Sequence, residues 1–195
     1  MRVSGGIFGG RILKVPKTDS VRPTQDRVRA AVFNIIRGEL AGADFLDLFA
    51  GSGAVGIEAL SQGVSSAVFV EQNRRHIATL NENLSMLKIT GAQVVCADVY
   101  RWIAGYSGGG FSIVFADPPY ALGEEKGYAS VLADLAGRGV VRPGGLFIAE
   151  MTAVQRPEQT PGWELLRDRT YGKTRICIWR LQESDSLNRW KICTE

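Results

Sequence analysis

Histidine is almost missing from this chain: His76 is the only one among 195 residues. That scarcity argues against a serine–histidine triad and against a histidine-rich metal centre. His76 itself reads as part of a solvated helix face. Cysteine is nearly as rare. Cys96, Cys177 and Cys193 are odd in number, widely spaced and without a CxxC pair. They fit reduced residues of a cytosolic protein better than a disulfide framework or a metal site. No apolar run approaches the ~20 residues that a membrane helix needs. The N-terminal MRVSGGIFGG also lacks the apolar core of a secretory signal. Internal repeats and low-complexity linkers are absent too. A cytoplasmic protein with no membrane span and no metal is expected.

What is present is an ordinary globular composition, 45% hydrophobic and 22% charged, long enough for one sizeable core. Its charge is uneven. Residues 1–37 hold eight Lys/Arg against Asp19 and Asp26, a local balance of +6, and the remainder carries −3. A basic N-terminal segment on a mildly acidic body suits a polyanionic partner, or is simply a solvated basic face.

Along the chain, residues 1–15 alternate weakly around Gly-Gly pairs, as a small hairpin would. Thr24, after the break at Arg22-Pro23, is positioned to cap a helix carrying Val28, Ala31, Val32, Ile35 and Ile36 at helical spacing. From residue 44, short apolar runs alternate with amphipathic segments. Strands are predicted at Phe45–Phe49, Ala67–Glu71, Gln93–Ala97, Ser112–Ala116 and Leu146–Glu150. Helices are predicted near 54–62, 73–88, 98–104 and 126–137. Such alternation implies a mostly parallel sheet with helices on both faces. Residues 163–181 break the rule, with two strand-like runs around Tyr171-Gly172-Lys173, and predict a closing antiparallel hairpin. The expected organisation is a basic N-terminal β-hairpin over 1–21, an α/β domain over 22–181, and a polar tail over 182–195.

Two motifs carry chemistry. In LDLFAGSGAVG (46–56), Gly51, Gly53 and Gly56 follow the first strand in G-x-G-x-x-G spacing, which any tight strand-to-helix turn also favours. Glu71 ends the second strand, where a carboxylate accepts from ribose hydroxyls. Asp98 ends the third, where it would accept from an adenine amine or cap the next helix. These features fit a nicotinamide dinucleotide or S-adenosylmethionine. Asp47, inside the motif, favours the cationic ligand, since it would repel a pyrophosphate. No second nucleotide-binding half follows, and the chain is short for a dehydrogenase.

The second motif, Asp117-Pro118-Pro119-Tyr120, closes the fourth strand. Two prolines fix φ and remove two N–H groups, so strand pairing stops at a stiff corner. That corner presents a carboxylate, carbonyl oxygens and an aromatic ring, which is a surface for a ligand rich in N–H donors.

Together these residues resemble a class I S-adenosylmethionine-dependent methyltransferase, and DPPY resembles the motif of enzymes that methylate planar amino groups. GGR at 9–11, RPTQDRVRAAVFNII at 22–36 and LDLFAGSGAVGIEALSQG at 46–63 resemble the RsmD family more specifically. That resemblance covers nearly all of residues 1–181. It implies a Rossmann-like seven-stranded sheet and methyl transfer to the N2 amine of a guanine in 16S ribosomal RNA, alone or within an assembling or assembled small ribosomal subunit. The implied cofactor contacts are Asp47, Phe49, Gly51, Ser52 and Gly53 around the first turn. Glu71, Gln72, Asp98 and Val99 follow at the next two strand ends. Asp117, Pro118 and Tyr120 would be the catalytic residues. Asp117 and the Pro118 carbonyl would accept from the target amine, and Tyr120 would stack on the base. Arg2, Arg11, Lys14, Arg22 and Arg27, with the neighbouring Arg29, would grip RNA phosphates. Arg22 and Thr24 could instead line the cofactor mouth. An adenine-N6 methyltransferase would use a near-identical corner, as would a protein glutamine methyltransferase with Asn in place of Asp117. A nicotinamide-dependent oxidoreductase and a non-catalytic RNA-binding module are the readings from other classes.

Overall fold

The computed structural model describes residues 1–16, 23–118 and 120–183. Two compact units divide the chain after Trp102. In the first, an N-terminal segment leads to α1 (Pro23–Ile35), β1 (Asp44–Leu48), α2 (Ala54–Ser61), β2 (Ser66–Glu71), α3 (Arg74–Met86) and β3 (Ala92–Cys96), and the division falls inside α4 (Val99–Ala104). The second holds β4 (Phe111–Ala116), α5 (Tyr120–Gly137), β5 (Val141–Thr152), β6 (Trp163–Tyr171) and β7 (Thr174–Leu181). The strands form one mixed seven-stranded sheet in the order β3-β2-β1-β4-β5-β7-β6. Among the described residues, no helix is long and apolar enough to cross a membrane.

In the first unit, β1–β2 and β2–β3 pair in parallel, with Leu48 opposite Val70 and Glu71 opposite Cys96. Strands joined by crossover helices must run this way. β1 and β2 are buried nearly throughout; the apolar residues of β2 form a continuous run, whereas β1 buries Asp47 between Leu46 and Leu48. Of the face that helical spacing predicts for Ile77, Leu80, Leu84 and Leu87, Leu80 and Leu84 on α3 and Leu87 at its C-cap are buried, and Ile77 is half-buried. Asn73 caps this helix, its Oδ1 accepting from the Arg75 N–H at 2.9 Å.

In the second unit, β4 pairs parallel to β5, β5 antiparallel to β7, and β7 antiparallel to β6. The β6–β7 turn falls at Gly172, as the sequence predicts, with a left-handed φ of 61°. Phe147 packs among Tyr128, Trp163 and Trp179, with ring centroids 5.7–6.5 Å apart. The Trp163 Nε1–H donates to the Leu132 carbonyl at 3.1 Å, so its polar edge is satisfied inside the core.

Several expectations are corrected. α1 begins at Pro23, so Thr24 lies inside the helix and is not its cap; proline suits the first turn because its missing N–H has no helical partner. α5 begins at Tyr120, directly after the proline corner, not near 126. β5 starts at Val141, because a register shift between Phe111 and Ile113 absorbs Arg142-Pro143-Gly144-Gly145. At the N-terminus there is one isolated antiparallel bridge, Arg2 to Ile12, around a 3₁₀ turn at Gly6–Phe8. The polar tail expected beyond residue 182 lies outside the described residues from 184 onwards, as does Cys193.

Candidate active site

The turn after β1 is built from strained and permissive positions. Phe49 has φ 61°, a left-handed conformation that a bulky residue rarely adopts, and Gly51 and Gly53 follow at 56° and 79°. Strain of this kind, about 1–3 kcal/mol, persists where surrounding contacts over-determine it, and it clusters at ligand sites. The Phe49 ring meets Tyr100 edge-on at 6.0 Å. Two glycines are needed for room as well. A Cβ on Gly53 would lie 2.1 Å from Leu80 Cδ1, and one on Gly56 2.2 Å from Phe69 Cε1. The third glycine therefore lets α2 pack closely on β2.

Two carboxylates hold this turn. Asp47 is 2% exposed, and its Oδ2 accepts from the Gly56 N–H at 2.9 Å, satisfying one of the open donors in the first turn of α2. Burial pushes its carboxyl up to about 8, the Gly56 hydrogen bond opposing and nearby Glu71 adding to the shift. Glu71, also buried, accepts from the Gly51 N–H at 2.9 Å through Oε2 and from the Asn73 N–H at 2.7 Å through Oε1. A carboxylate has about four acceptor positions, so ribose hydroxyls can still bond there. His76 is half-buried, with Nδ1 3.7 Å from Glu71 Oε2, and so does not lie on a solvated face. Asp98 acts as the cap of α4, its Oδ1 accepting from the Arg101 N–H at 2.9 Å. Val99 is buried beside it, and Gln72 is exposed.

Two buried polar residues that the sequence reading passed over organise the same unit. Glu58 is fully buried on α2. Its carboxylate accepts from the Ser4 N–H at 2.8 Å, the Ser4 hydroxyl at 2.7 Å, the Gly5 N–H at 3.0 Å, Arg29 Nε at 3.3 Å and Gln62 Nε2 at 2.7 Å. Asn83 is equally buried on α3. It accepts from the Lys14 N–H at 2.8 Å and donates to the carbonyls of Lys14 and Ser52, both at 3.0 Å. One signal for Asn83 was visible: its spacing from Leu80, Leu84 and Leu87 puts an amide on the apolar stripe.

The cations expected to grip RNA divide into two sets. Arg2, Arg11 and Arg27 are exposed. Arg2 Nη1 donates to the Gly10 carbonyl at 2.8 Å, and Lys14 Nζ lies 2.9 Å from Glu82. Arg29 is only 6% exposed. It pairs with Asp26 at 3.0 Å and with Glu58, and it donates to the Arg2 carbonyl, so it belongs to the interior and not to the RNA-facing set. Arg22 lies outside the described residues.

In the second unit, Asp117 is half-buried immediately past β4, and Pro118 is buried. Pro119 and the Tyr120 side chain lie outside the described residues. Ala116 pairs with Ala149 in parallel register, so Asp117 and Glu150 each follow a paired position. Burial raises the Glu150 carboxyl, and a hydrogen bond from the Thr174 hydroxyl at 3.5 Å opposes that shift. Its backbone carbonyl accepts from the Tyr128 hydroxyl at 2.9 Å. Among the described residues, no three His, Cys, Asp or Glu side chains gather as a metal site.

The model of the family Conserved hypothetical protein 95 matches residues 1–180. The chain is 37% identical to YlbH of Bacillus subtilis (strain 168), with 92% of this chain and 98% of that one covered. It is 34% identical to Ribosomal RNA small subunit methyltransferase D of Escherichia coli (strain K12), with 95% and 94% covered. The solved structure of yhhF from Escherichia coli aligns with a TM-score of 0.82 at 30% identity, over 94% of this chain and 99% of that one.

Proposed function

This chain belongs to the Conserved hypothetical protein 95 family, the RsmD family, and from that membership we propose that it is a ribosomal RNA methyltransferase acting on the N2 amine of a guanine in 16S RNA. The observation that carries the finer reading is the corner at Asp117-Pro118, a half-buried carboxylate and a buried proline at the end of β4. Its working place is the cytoplasm, and its partner is the RNA of the small ribosomal subunit.

S-adenosylmethionine supplies an electrophilic methyl group on a sulfonium sulfur. The turn over residues 49–53 and Glu71 fit that group. Glu71 is already oriented by two main-chain N–H groups, and a Cβ on Gly51 would meet only the Phe49 carbonyl, 4.0 Å away. Asp47, whose buried carboxyl is pushed up to about 8 in the free chain, would supply a negative charge to a cationic ligand by giving up its proton on binding. Asp98, Val99 and Gln72 would hold the nucleoside end.

The target amine is a poor nucleophile, because its lone pair is delocalised into the purine ring. Asp117 and the Pro118 carbonyl accept from its two N–H bonds, hold the nitrogen nearer sp³ and direct the lone pair at the methyl group. As transfer proceeds, positive charge grows on nitrogen, fixed acceptors stabilise it without reorganising, and one of the two N–H protons would leave by way of Asp117 to solvent. Tyr120 stacks on the base, worth roughly 1–3 kcal/mol. The guanine must be unstacked from its helix to reach such a corner. Arg2, Arg11 and Arg27 hold phosphates, which positions the RNA without reading its sequence. Nucleoside mass spectrometry of 16S RNA from cells lacking the gene tests the reading. Loss of one N2-methylguanosine is the expected result. Loss of N6-methyladenosine instead would reassign the base, and an unchanged profile would overturn the proposal.

A further inference from the structure

Asn83 lies between Leu80 and Leu84 on the buried stripe of α3, yet its side chain makes hydrogen bonds that leave that helix. They reach main-chain groups of two segments far apart in sequence. Lys14, at the end of the basic N-terminal segment, is bonded through both its N–H and its carbonyl. Ser52 is bonded through its carbonyl, and it sits between the left-handed Gly51 and Gly53, where the chain has little stiffness of its own. The rest of the N-terminal segment is anchored elsewhere, through Ser4 and Gly5 to Glu58 and through its own main-chain bonds. Lys14 is therefore the point at which that segment and the turn share one side chain.

We propose that Asn83 is a positioning residue that couples the cofactor turn to the RNA-facing N-terminal segment. A buried amide is expensive to leave half-satisfied, so its bonds to Ser52 and Lys14 form and break together. Cofactor held at the turn then orders the segment around Lys14. By linkage, RNA held by the segment orders the turn and favours cofactor to the same extent. The inference rests on the proposed cofactor role of residues 49–53.

Amide hydrogen exchange on the full chain tests it, with and without S-adenosylhomocysteine, whose dissociation constant is measured by calorimetry on the same sample. At a hundred times that constant, an opening that the ligand cannot survive is suppressed up to ~100-fold. The Lys14 amide is expected to slow by at least about tenfold. The Gly10 amide, bonded to the Val3 carbonyl at 2.9 Å within the segment, is the control and is expected to slow less. Asn83→Asp keeps an acceptor for the Lys14 N–H but cannot donate to Ser52. Its Lys14 amide should stop responding to the ligand while ligand binding persists. A Lys14 amide in the parent protein that is unchanged, or slowed no more than Gly10, overturns the coupling whether or not the variant folds. Absence of ligand binding overturns the cofactor assignment, and the coupling falls with it.

Discussion

Asp47→Asn separates what the buried carboxyl does for the fold from what it does for a ligand. In the folded chain the Asp47 carboxyl is pushed up to about 8; in the unfolded chain it titrates near the usual ~3.9. The native state therefore keeps a proton that the unfolded state loses as pH rises from about 4. A raised carboxyl contributes fully below the unfolded value, and its contribution falls as pH climbs, levelling off near 8. Each pH unit inside that window removes up to about 1.4 kcal/mol, so moving from pH 5 to pH 8 removes about 4 kcal/mol. Other groups titrate over the same range, so the quantity to measure is the difference between parent and variant. Asparagine has nearly the same shape, and its Oδ1 can still accept from the Gly56 N–H, but it does not titrate. Urea denaturation at pH 5, 6, 7 and 8 should show the variant gaining on the parent by about 4 kcal/mol in total, with the slope against urea unchanged. A parent–variant difference that stays flat over that range would refute the reasoning. The same carboxyl makes ligand binding a proton-linked event. If the ammonium of S-adenosylhomocysteine meets Asp47, binding at pH 7 favours the charged form and releases about one proton. Calorimetry in buffers of different ionisation enthalpy reads that proton directly, and the Asn variant should release none.

Three further outcomes are expected. Glu71→Gln keeps an acceptor towards Gly51 but removes the charge, and should weaken S-adenosylhomocysteine by roughly 1–3 kcal/mol in calorimetry; unchanged affinity would remove Glu71 from the site. Asp117→Ala should bind the cofactor normally and lower single-turnover methyl transfer by about 10²–10³, with Asp117→Asn between it and the parent. Transfer at the parent rate would make the proline corner mere scaffolding. Replacing Arg2, Arg11 and Arg27 with Gln should reduce the slope of log affinity against log salt for RNA by about 2–3, whereas Lys14→Gln should change it less because Glu82 already neutralises Lys14. An unchanged slope in the triple variant would leave the basic face as solvated surface.

The order of strands and helices was legible because both periodicities are strong. β2 and β4 carry unbroken apolar runs, Ala67–Val70 and Ile113–Ala116, and α3 repeats leucine at helical spacing. Boundaries failed where local chemistry conceals the element. In YALGEEKG (120–127), two glycines and three charges hide the first turns of α5. At Arg142-Pro143-Gly144-Gly145 a register shift makes the beginning of β5 look like a loop. Around the turn, Gly51, Gly53 and Gly56 were legible as a motif, and the distances explain two of them. Gly53 and Gly56 are small because Leu80 and Phe69 occupy the space a Cβ would need.

Charge was the property least legible from sequence, and for one reason. A run of cations looks exposed until its partners are known, and those partners lie far along the chain. Arg29 belongs to the basic segment by position, but Glu58 takes it into the interior, where the pair also collects Ser4 and Gly5. Removing either member would strand the other, a loss of about 3–5 kcal/mol for a buried pair. Lys14 is likewise half-spent, with its ammonium beside Glu82 and its main chain on Asn83. The +6 balance of residues 1–37 therefore overstates the field that an RNA meets. Among the described residues of that stretch, Arg2, Arg11, Arg27 and Arg37 are exposed cations, while Arg29 is buried against Glu58 and the exposed Lys14 pairs with Glu82. On this division the basic segment is held in place by the buried Arg29–Glu58 pair and by the Asn83 amide, and if RNA binds there its affinity should depend on Glu58 and Asn83 as well as on the arginines that reach solvent.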